Sequence, residues 1–196
     1  MGKHKDFYIL NGKKFVASTT ALGIIADEQL MKWRGRVGNR MADYIMNTKG
    51  DRGTLIHAQC QKVNEGEIVR ARQYKKEIDI YKQWVFENVI KFVLVEKRLY
   101  SNKYSYCGCP DLFAILKGRK RPDVFDIKTG NIYKKMEYQL SSYKELGIEN
   151  GFDIQNRIIL HLSDKGIKMM PLNPDNHNTK FRIFLYAKEV YMDYNN

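Results

Sequence analysis

The chain has 196 residues, of which 43% are hydrophobic, a composition typical of one domain with a packed core and not of a disordered chain. Lysine and arginine total 34 against 22 acidic residues, which gives a formal net charge of +12. A surplus of this size favours a polyanionic partner such as nucleic acid, and a basic protein kept soluble by its charge is the alternative interpretation.

The three cysteines, Cys60, Cys107 and Cys109, are odd in number and fit no disulfide framework, which favours a reducing, intracellular setting. The first residues contain no apolar segment typical of a secretory signal. No stretch approaches the ~20 apolar residues that cross a bilayer. We therefore expect a cytoplasmic protein without a membrane partner.

Residues 1–90 are predicted to be mostly helical. Asn11-Gly12, between two short β-rich runs, predicts a hairpin. Ser18 is expected to cap the helix that follows, and the glycines at 50 and 53 indicate a break before a helix that begins at Thr54. The elements predicted for this half are strands Phe7–Leu10 and Lys14–Val16, a helix carrying Leu22, Ile25, Leu30 and Trp33, and helices over 54–63 and 68–90.

Residues 91–196 change to short apolar runs between turns, and the pattern predicts the order β-β-β-α-β-β-α. A three-strand antiparallel meander is the simplest interpretation of the first three runs, with the central helix as the only crossover. We therefore expect one α/β domain over residues 1–196. The elements predicted for this half are strands 92–100, 104–116 (broken near Gly108 and Pro110) and 123–128, helix 132–146, strands 157–162 and 166–170, and helix 179–191.

Two acidic residues and a lysine are the first candidates for chemistry. Asp126 and Lys128 lie two apart on a predicted strand and so project from one face. A hairpin with its turn near residues 117–122 brings Asp111 opposite Asp126. Two close carboxylates repel each other unless a cation lies between them, which indicates a Mg²⁺ site. Lys128 can then orient the attacking water or neutralise developing charge, whereas an ion pair at a sheet surface is the alternative.

The segments Pro110-Asp111 and Asp126-Ile127-Lys128 resemble the signature of the PD-(D/E)XK nuclease superfamily. Further segments resemble the RecB-like exonuclease branch, and all of them follow that family's order over roughly residues 15–190. They are Arg52-Gly53-Thr54-Leu55-Ile56-His57 for the GTxxH motif, Gln139-Leu140-Ser141-Ser142-Tyr143 for QxxxY, and Lys128-Thr129-Gly130 for the continuation after the catalytic lysine.

The resemblance implies a restriction-endonuclease-like core, with a mixed central sheet flanked by helices, that hydrolyses DNA phosphodiester bonds. It implies Mg²⁺ or Mn²⁺ bound by His57, Asp111, Asp126 and the Ile127 carbonyl, with Asp111, Asp126 and Lys128 as the catalytic set. Glu96, in the first strand of the meander, either supports the metal ligands from behind or is simply ion-paired. Gln139 and Tyr143, which share one face of a predicted helix, can hydrogen-bond a substrate phosphate or the region of the catalytic lysine. The basic residues near the site that are expected to bind substrate are Arg52, Lys134 and Lys135.

Some relatives carry four cysteines for an iron–sulfur cluster, and since no cysteine follows Cys109 we expect that cluster to be absent. The basic turn Lys117–Arg121 is expected either to contact phosphates or to be a solvated turn. The expected substrate is single- or double-stranded DNA ends, in recombination, repair, or phage or mobile-element DNA processing. An endonuclease of the same superfamily, an inactive DNA-binding protein with this fold and an RNA nuclease are the alternatives, and a homo-oligomer is left open.

Overall fold

The computed structural model describes residues 6–195, so the first five residues, where no secretory signal was expected, lie outside it. The chain begins with a hairpin of β1 (Phe7–Leu10) and β2 (Lys13–Ala17), which pair antiparallel. Asn11 and Gly12 between them have φ of 50° and 76°. Two consecutive positive φ angles are the requirement of a tight hairpin turn, and the predicted hairpin is confirmed.

The next helical segment is divided where a single helix was predicted. It consists of α1 (Ser18–Ala21), a 3-10 helix (Leu22–Ile24) and α2 (Glu28–Val37). Asp27 caps α2, because its carboxylate accepts the backbone N–H of the third residue after it.

Ser18 does not cap a helix, so that prediction was wrong. It is the first residue of α1, and its hydroxyl donates to the Cys107 carbonyl at 3.0 Å. The hydroxyl therefore satisfies a backbone acceptor in a neighbouring strand, 89 residues away in sequence, which local sequence patterns do not reveal.

The third helix, α3, runs without interruption over Asn39–Asn64. The break predicted at the glycines, with a new helix from Thr54, was wrong. A glycine inside a helix costs only about 1 kcal/mol relative to alanine, and each residue added to an existing helix gains a hydrogen bond. Burial of Ile56 and Cys60 on the same helix outweighs that cost.

The fourth helix, α4, spans Lys75–Asn88 and is shorter than the 68–90 predicted. Tyr74, directly before it, has a left-handed φ of 53°, which marks its start. Val89 and Ile90 begin the next strand instead of ending the helix, in agreement with the β-preference of branched side chains.

A mixed five-stranded sheet forms the centre of the fold, in the order β3-β6-β7-β8-β9. The pairs β3–β6, β6–β7 and β8–β9 are antiparallel, and β7–β8 is parallel. The predicted meander and the strand 123–128 are thus confirmed, and within this sheet the central helix is the crossover, as predicted. The members of this part are β3 (Val89–Val95), β6 (Leu112–Leu116), β7 (Asp123–Lys128), α5 (Lys135–Glu149), β8 (Arg157–Ser163) and β9 (Gly166–Pro171). Another parallel pair, Val16–Ala17 with Tyr106–Cys107, lies outside this sheet.

A second, four-stranded sheet was not predicted. Its order is β1-β2-β5-β4, with β4 at Leu99–Ser101 and β5 at Tyr106–Gly108. The runs predicted as strands 92–100 and 104–116 are therefore each divided between the two sheets. Glu96, with φ of 44°, ends the first run, and Pro110, which has no N–H for a sheet ladder, separates the parts of the second.

The main sheet is covered on both faces. One hydrophobic cluster contains Val124 with residues of α5 and of α6 (His177–Tyr194), which follows a 3-10 turn (Pro174–Asn176). The other contains Phe125 and Ile127 with residues of α3 and α4. The fold is therefore α/β, about half helical, as predicted. Among the described residues, none of the helices combines the length and apolarity needed to cross a membrane.

Candidate active site

The acidic residues meet at one end of the β6–β7 hairpin. Leu112 pairs with Phe125 across the two strands, so Asp111, one residue earlier, lies beside the end of β7. The Ile127 backbone N–H donates to Asp111 Oδ2 at 2.6 Å. The prediction that Asp111 lies beside the strand of Asp126 is therefore confirmed.

Asp126 is buried and contacts two side chains of the predicted site. Lys128 Nζ donates to its Oδ1 at 2.9 Å, and Gln139 Nε2 on α5 donates to the same oxygen at 3.3 Å. The other oxygen, Oδ2, lies 2.8 Å from Lys128 Nζ, but the angles do not fit a hydrogen bond. Among the described residues this oxygen accepts no well-directed hydrogen bond, and the Lys128 ammonium beside it balances its charge.

Gln139 and Tyr143 lie behind Asp126. Four residues apart on α5, they share a helix face, and Gln139 Nε2 donates to the Tyr143 hydroxyl at 3.0 Å. Tyr143 is only 4% exposed. Two roles were predicted for this pair, binding a phosphate or hydrogen bonding near the catalytic lysine, and the observed contacts fit the second.

His57 and Glu96 join Asp111 from two other elements. His57 Nδ1 on α3 lies 3.5 Å from Asp111 Oδ2. Glu96 follows β3, and its backbone N–H donates to the Asp111 carbonyl at 3.1 Å. One ligand atom from each of the three side chains lies within 4.8 Å of the others. Sequence reasoning left the role of Glu96 open, and its only signal was an acid at the end of an apolar strand.

The cluster holds more negative charge than its surroundings stabilise. Burial raises the pKa of Glu96 to about 7, and the charge of Asp111 adds to this shift. Burial also raises the pKa of Asp126, with Lys128 opposing it and Asp111 reinforcing it. For Asp111 itself, burial acts upward but His57 holds the pKa below its usual value. The three carboxylates resist ionising together, and a divalent cation would relieve that repulsion.

Arg52, predicted to bind substrate, is held by the protein. Its Nη2 lies 2.6 Å from Glu77 Oε1, a buried carboxylate on α4. Its Nη1 donates to the Thr129 carbonyl at 3.2 Å, directly after Lys128. Both ends of the guanidinium therefore connect α3, α4 and the end of β7, a contact that positions the site. Lys134 and Lys135, the other predicted cations, lie at the start of α5.

The basic turn Lys117–Arg121 lies at the other end of the hairpin. Asp111 and Lys117 are six positions apart, about 20 Å along an extended strand. Arg119 is ion-paired with Asp123, and Arg121 with Asp153 at 3.1 Å. Of the two interpretations given to this turn, the solvated turn is the one that these contacts favour.

No family model matches the chain, and no curated protein matches it either. What the protein does therefore rests on the fold and on this cluster. Its imidazole comes from α3, Glu96 directly follows β3, the two aspartates and the lysine belong to the β6–β7 hairpin, and α5 adds Gln139.

Proposed function

We propose that this protein is a metal-dependent deoxyribonuclease of the PD-(D/E)XK superfamily, in its RecB-like exonuclease branch. The observation that carries the proposal is the convergence of Asp111, Asp126 and Lys128 with His57 and Glu96. These residues are separated by up to 71 positions in sequence. Their assembly at one partly buried point supports chemistry more than a chance ion pair does, since isolated ion pairs need only two partners.

The fold supports the same class. An antiparallel β3-β6-β7 meander is followed by the crossover helix α5 and the parallel strand β8, with helices on both faces. This arrangement agrees with a restriction-endonuclease-like core. The two acids and the lysine lie where β6 and β7 meet under α5. A substrate bound at this end of the sheet would therefore reach residues of both β-strands.

The donor set fits a hard divalent cation. Carboxylates and one imidazole suit Mg²⁺ or Mn²⁺, and His57, Glu96 and Asp111 would hold the ion with Asp126 beside them. Oδ2 of Asp126 is compatible with this assignment, because among the described residues it accepts no well-directed hydrogen bond and so keeps lone pairs for a cation. When bound, such a cation would supply a water of lowered pKa and positive charge beside the scissile phosphate. The proposed site does not include an iron–sulfur cluster bound by cysteines.

The chain's own residues orient the reaction. Lys128 Nζ, held at Asp126, stays protonated, because the carboxylates raise its pKa although burial opposes this. It can donate to the attacking water or to a phosphate oxygen and stabilise the negative charge that develops there. Gln139 fixes Asp126 and is itself fixed by Tyr143, so that the acid keeps its position.

The polyanionic substrate is supported by the net charge of +12. Lys134 and Lys135, at the N-terminus of α5, can bind phosphates together with the helix dipole. We propose DNA ends as the substrate, cytoplasmic DNA recombination, repair or mobile-element processing as the setting, and leave the oligomeric state open.

The proposal is tested by incubating the protein with end-labelled single-stranded and double-stranded linear DNA, closed circular DNA and RNA of one sequence. Each substrate is given Mg²⁺, Mn²⁺ or EDTA. We expect shortening of linear DNA with either metal, none with EDTA, and intact circles, because an exonuclease needs an end. Cleavage of circles would make the protein an endonuclease, and preferential cleavage of RNA would make it an RNA nuclease.

Comparing Lys128→Ala with Lys168→Ala distinguishes cleavage by this protein from cleavage by a contaminating nuclease. Both lysines lie on strands of the main sheet, and Lys168 is exposed on β9. We expect Lys128→Ala to lower the rate by roughly a hundredfold or more and Lys168→Ala to leave it unchanged. A Lys128→Ala protein that cleaves as fast as the wild type would exclude the proposed mechanism.

A further inference from the structure

The helix α2 and the first half of α3 form an arm (residues 28–51). In the described part of this arm, Ala42 alone is buried. The two helices contact each other through Arg34, whose Nη2 lies 2.7 Å from Asp43 Oδ1 and whose Nη1 lies 3.3 Å from the sulfur of Met46. The arm is thus ordered by helix–helix contacts and not by burial in either hydrophobic cluster.

Large apolar side chains of the arm face outward. Met31, Met41 and Tyr44 are all more than half exposed, with Tyr44 at 69%. A concentration of exposed apolar groups in one place costs stability and is typical of a surface that meets a ligand.

Cations lie close to these apolar groups along the two helices of the arm. Lys32 and Arg34 are ion-paired within the arm. For three further cations, Arg36, Arg40 and Lys49, the described contacts include no ion pair. Apolar faces set among unpaired cations match a ligand with exposed flat rings and regular negative charge, which is the chemistry of a single nucleic-acid strand. A second copy of this basic chain would bring like charges together.

We propose that the arm binds single-stranded DNA, with Tyr44 stacked on a base and Arg40 at a neighbouring phosphate. This inference rests on the proposed function for its choice of DNA. Arg40 and Tyr44 are four residues apart and so share one side of α3. Tyr44 precedes His57 by 13 positions on this helix, about 20 Å at 1.5 Å per residue. This is the distance along the helix axis, and at 3.6 residues per turn the two side chains point about 140° apart around α3. At the 3.4 Å rise of stacked bases, the axial distance corresponds to about six nucleotides.

The chain contains a matched control for this pair. Arg182 and Tyr186 have the same spacing on α6, both are exposed, and Tyr186 is 64% exposed against 69% for Tyr44. Their surroundings differ, since Glu189 and Asp193 follow on α6. The same two side-chain types can therefore be removed from the arm and from α6 without a difference in residue type or exposure.

The test measures binding apart from cleavage. Fluorescence anisotropy with a labelled thymidine oligonucleotide of about 12 bases, long enough for the arm and the active site, is recorded in EDTA over a range of salt. We expect Tyr44→Ala to weaken binding about 10-fold, the loss of one stacked base, and Tyr44→Phe to retain it. Arg40→Ala should reduce the slope of log affinity against log salt by about 0.7. Arg182→Ala and Tyr186→Ala should change neither quantity.

Equal affinities of Tyr44→Ala and Tyr186→Ala would overturn the proposal. So would a Tyr44→Ala variant of unchanged affinity whose sedimentation shows a lost dimer, since the arm would then contact a second copy. Circular dichroism checks that the helix persists, as alanine favours. If the wild type cleaves no DNA but binds it through the arm, the proposed nuclease activity is wrong and this inference stands. If the protein cleaves DNA but binds it equally well without Tyr44 and Arg40, the nuclease proposal stands and this inference is wrong.

Discussion

Asp123 and Asp126 lie three residues apart on β7 and are both buried, yet their surroundings differ. Asp123 Oδ1 accepts the backbone N–H of Asn156 at 3.0 Å and its side-chain amide at 2.8 Å, and Oδ2 is ion-paired with Arg119. Asp126 Oδ1 accepts from Lys128 and Gln139, but its Oδ2 accepts no hydrogen bond in the part of the chain that the structure describes.

The difference is the one that the proposed function expects between a structural carboxylate and a reactive one. A buried charge is costly unless donors surround it, and Asp123 has donors on both oxygens. Asp126 instead has one oxygen, Oδ2, that contacts the Lys128 ammonium at 2.8 Å without a well-directed hydrogen bond among the described residues. It also lies within the electrostatic influence of a second acid, Asp111. Such an arrangement is maintained at a cost in stability, as is usual where a site awaits a ligand.

The largest expected effect comes from replacing each aspartate by its amide. Asp126→Asn should lower the rate of DNA hydrolysis about a thousandfold, because it removes charge from the metal-binding cluster. Asp123→Asn should lower the free energy of unfolding by about 2 kcal/mol, since Arg119 loses its charged partner. The partial exposure of Arg119 keeps this loss from being larger. It should keep the rate within roughly threefold of wild type. Cleavage assays and urea unfolding measure the two quantities.

The comparison requires that the two losses be separable. If Asp126→Asn destabilises the protein as much as Asp123→Asn, and both reduce cleavage in proportion, then Asp126 is a structural residue like Asp123. The proposed distinction between the two ends of β7 would then be lost.

A second, smaller effect is the stabilisation of the fold by metal. A ligand that binds only the folded state raises the free energy of unfolding by about 2.7 kcal/mol at 100 times its dissociation constant. We expect Mn²⁺ to raise the melting temperature of the wild type and of Asp123→Asn. Asp111→Asn and Glu96→Gln should lose most of this shift, because each removes an oxygen of the cluster. Thermal melts with increasing Mn²⁺, against an EDTA baseline, give the result.

Of the two variants Asp111→Asn and Glu96→Gln, the second gives the more decisive result. If Glu96→Gln melts with the same Mn²⁺ dependence as the wild type, Glu96 is not a metal ligand, and the cluster reduces to the residues predicted from sequence. This measurement requires no substrate, so it keeps its meaning for a protein that cleaves no DNA.

Local sequence patterns predicted the parts of this site that depend on strand geometry. Apolar and charged residues alternate from Phe125 to Lys128, so the strand and the common face of Asp126 and Lys128 follow from a period of two. The hairpin register then brings Asp111 alongside, as expected.

The parts that were not predicted depend on contacts distant in sequence. Glu96 enters the cluster because the chain reverses there with φ of 44° and continues into the second sheet. Arg52 is committed to Glu77 and Thr129, neither of which is near it in sequence. Periodicity carries no information about either contact, since both are set by how helices and sheets pack.

The smallest expected effect acts on Asp126 from behind. A Cβ added at Gly108 on β5 would lie 2.6 Å from Cε1 of Tyr143 and 2.9 Å from Cδ1 of Leu146. Overpacking of this kind costs about 1–3 kcal/mol. We expect Gly108→Ala to lower the free energy of unfolding by that amount. Because the Tyr143 hydroxyl holds Gln139 against Asp126, the cleavage rate should also fall several-fold more than the unfolded fraction measured with urea explains.

Gly23→Ala is the control for this substitution, since a Cβ at Gly23 meets nothing within 4 Å, and it should leave the cleavage rate unchanged. If Gly108→Ala lowers stability but cleaves at the wild-type rate when fully folded, the contact from Tyr143 through Gln139 is not needed to hold Asp126. Asp126 would then be positioned by Lys128 and its strand alone, and the difference from Asp123 would lie only in its missing donors and not in the side chains behind it.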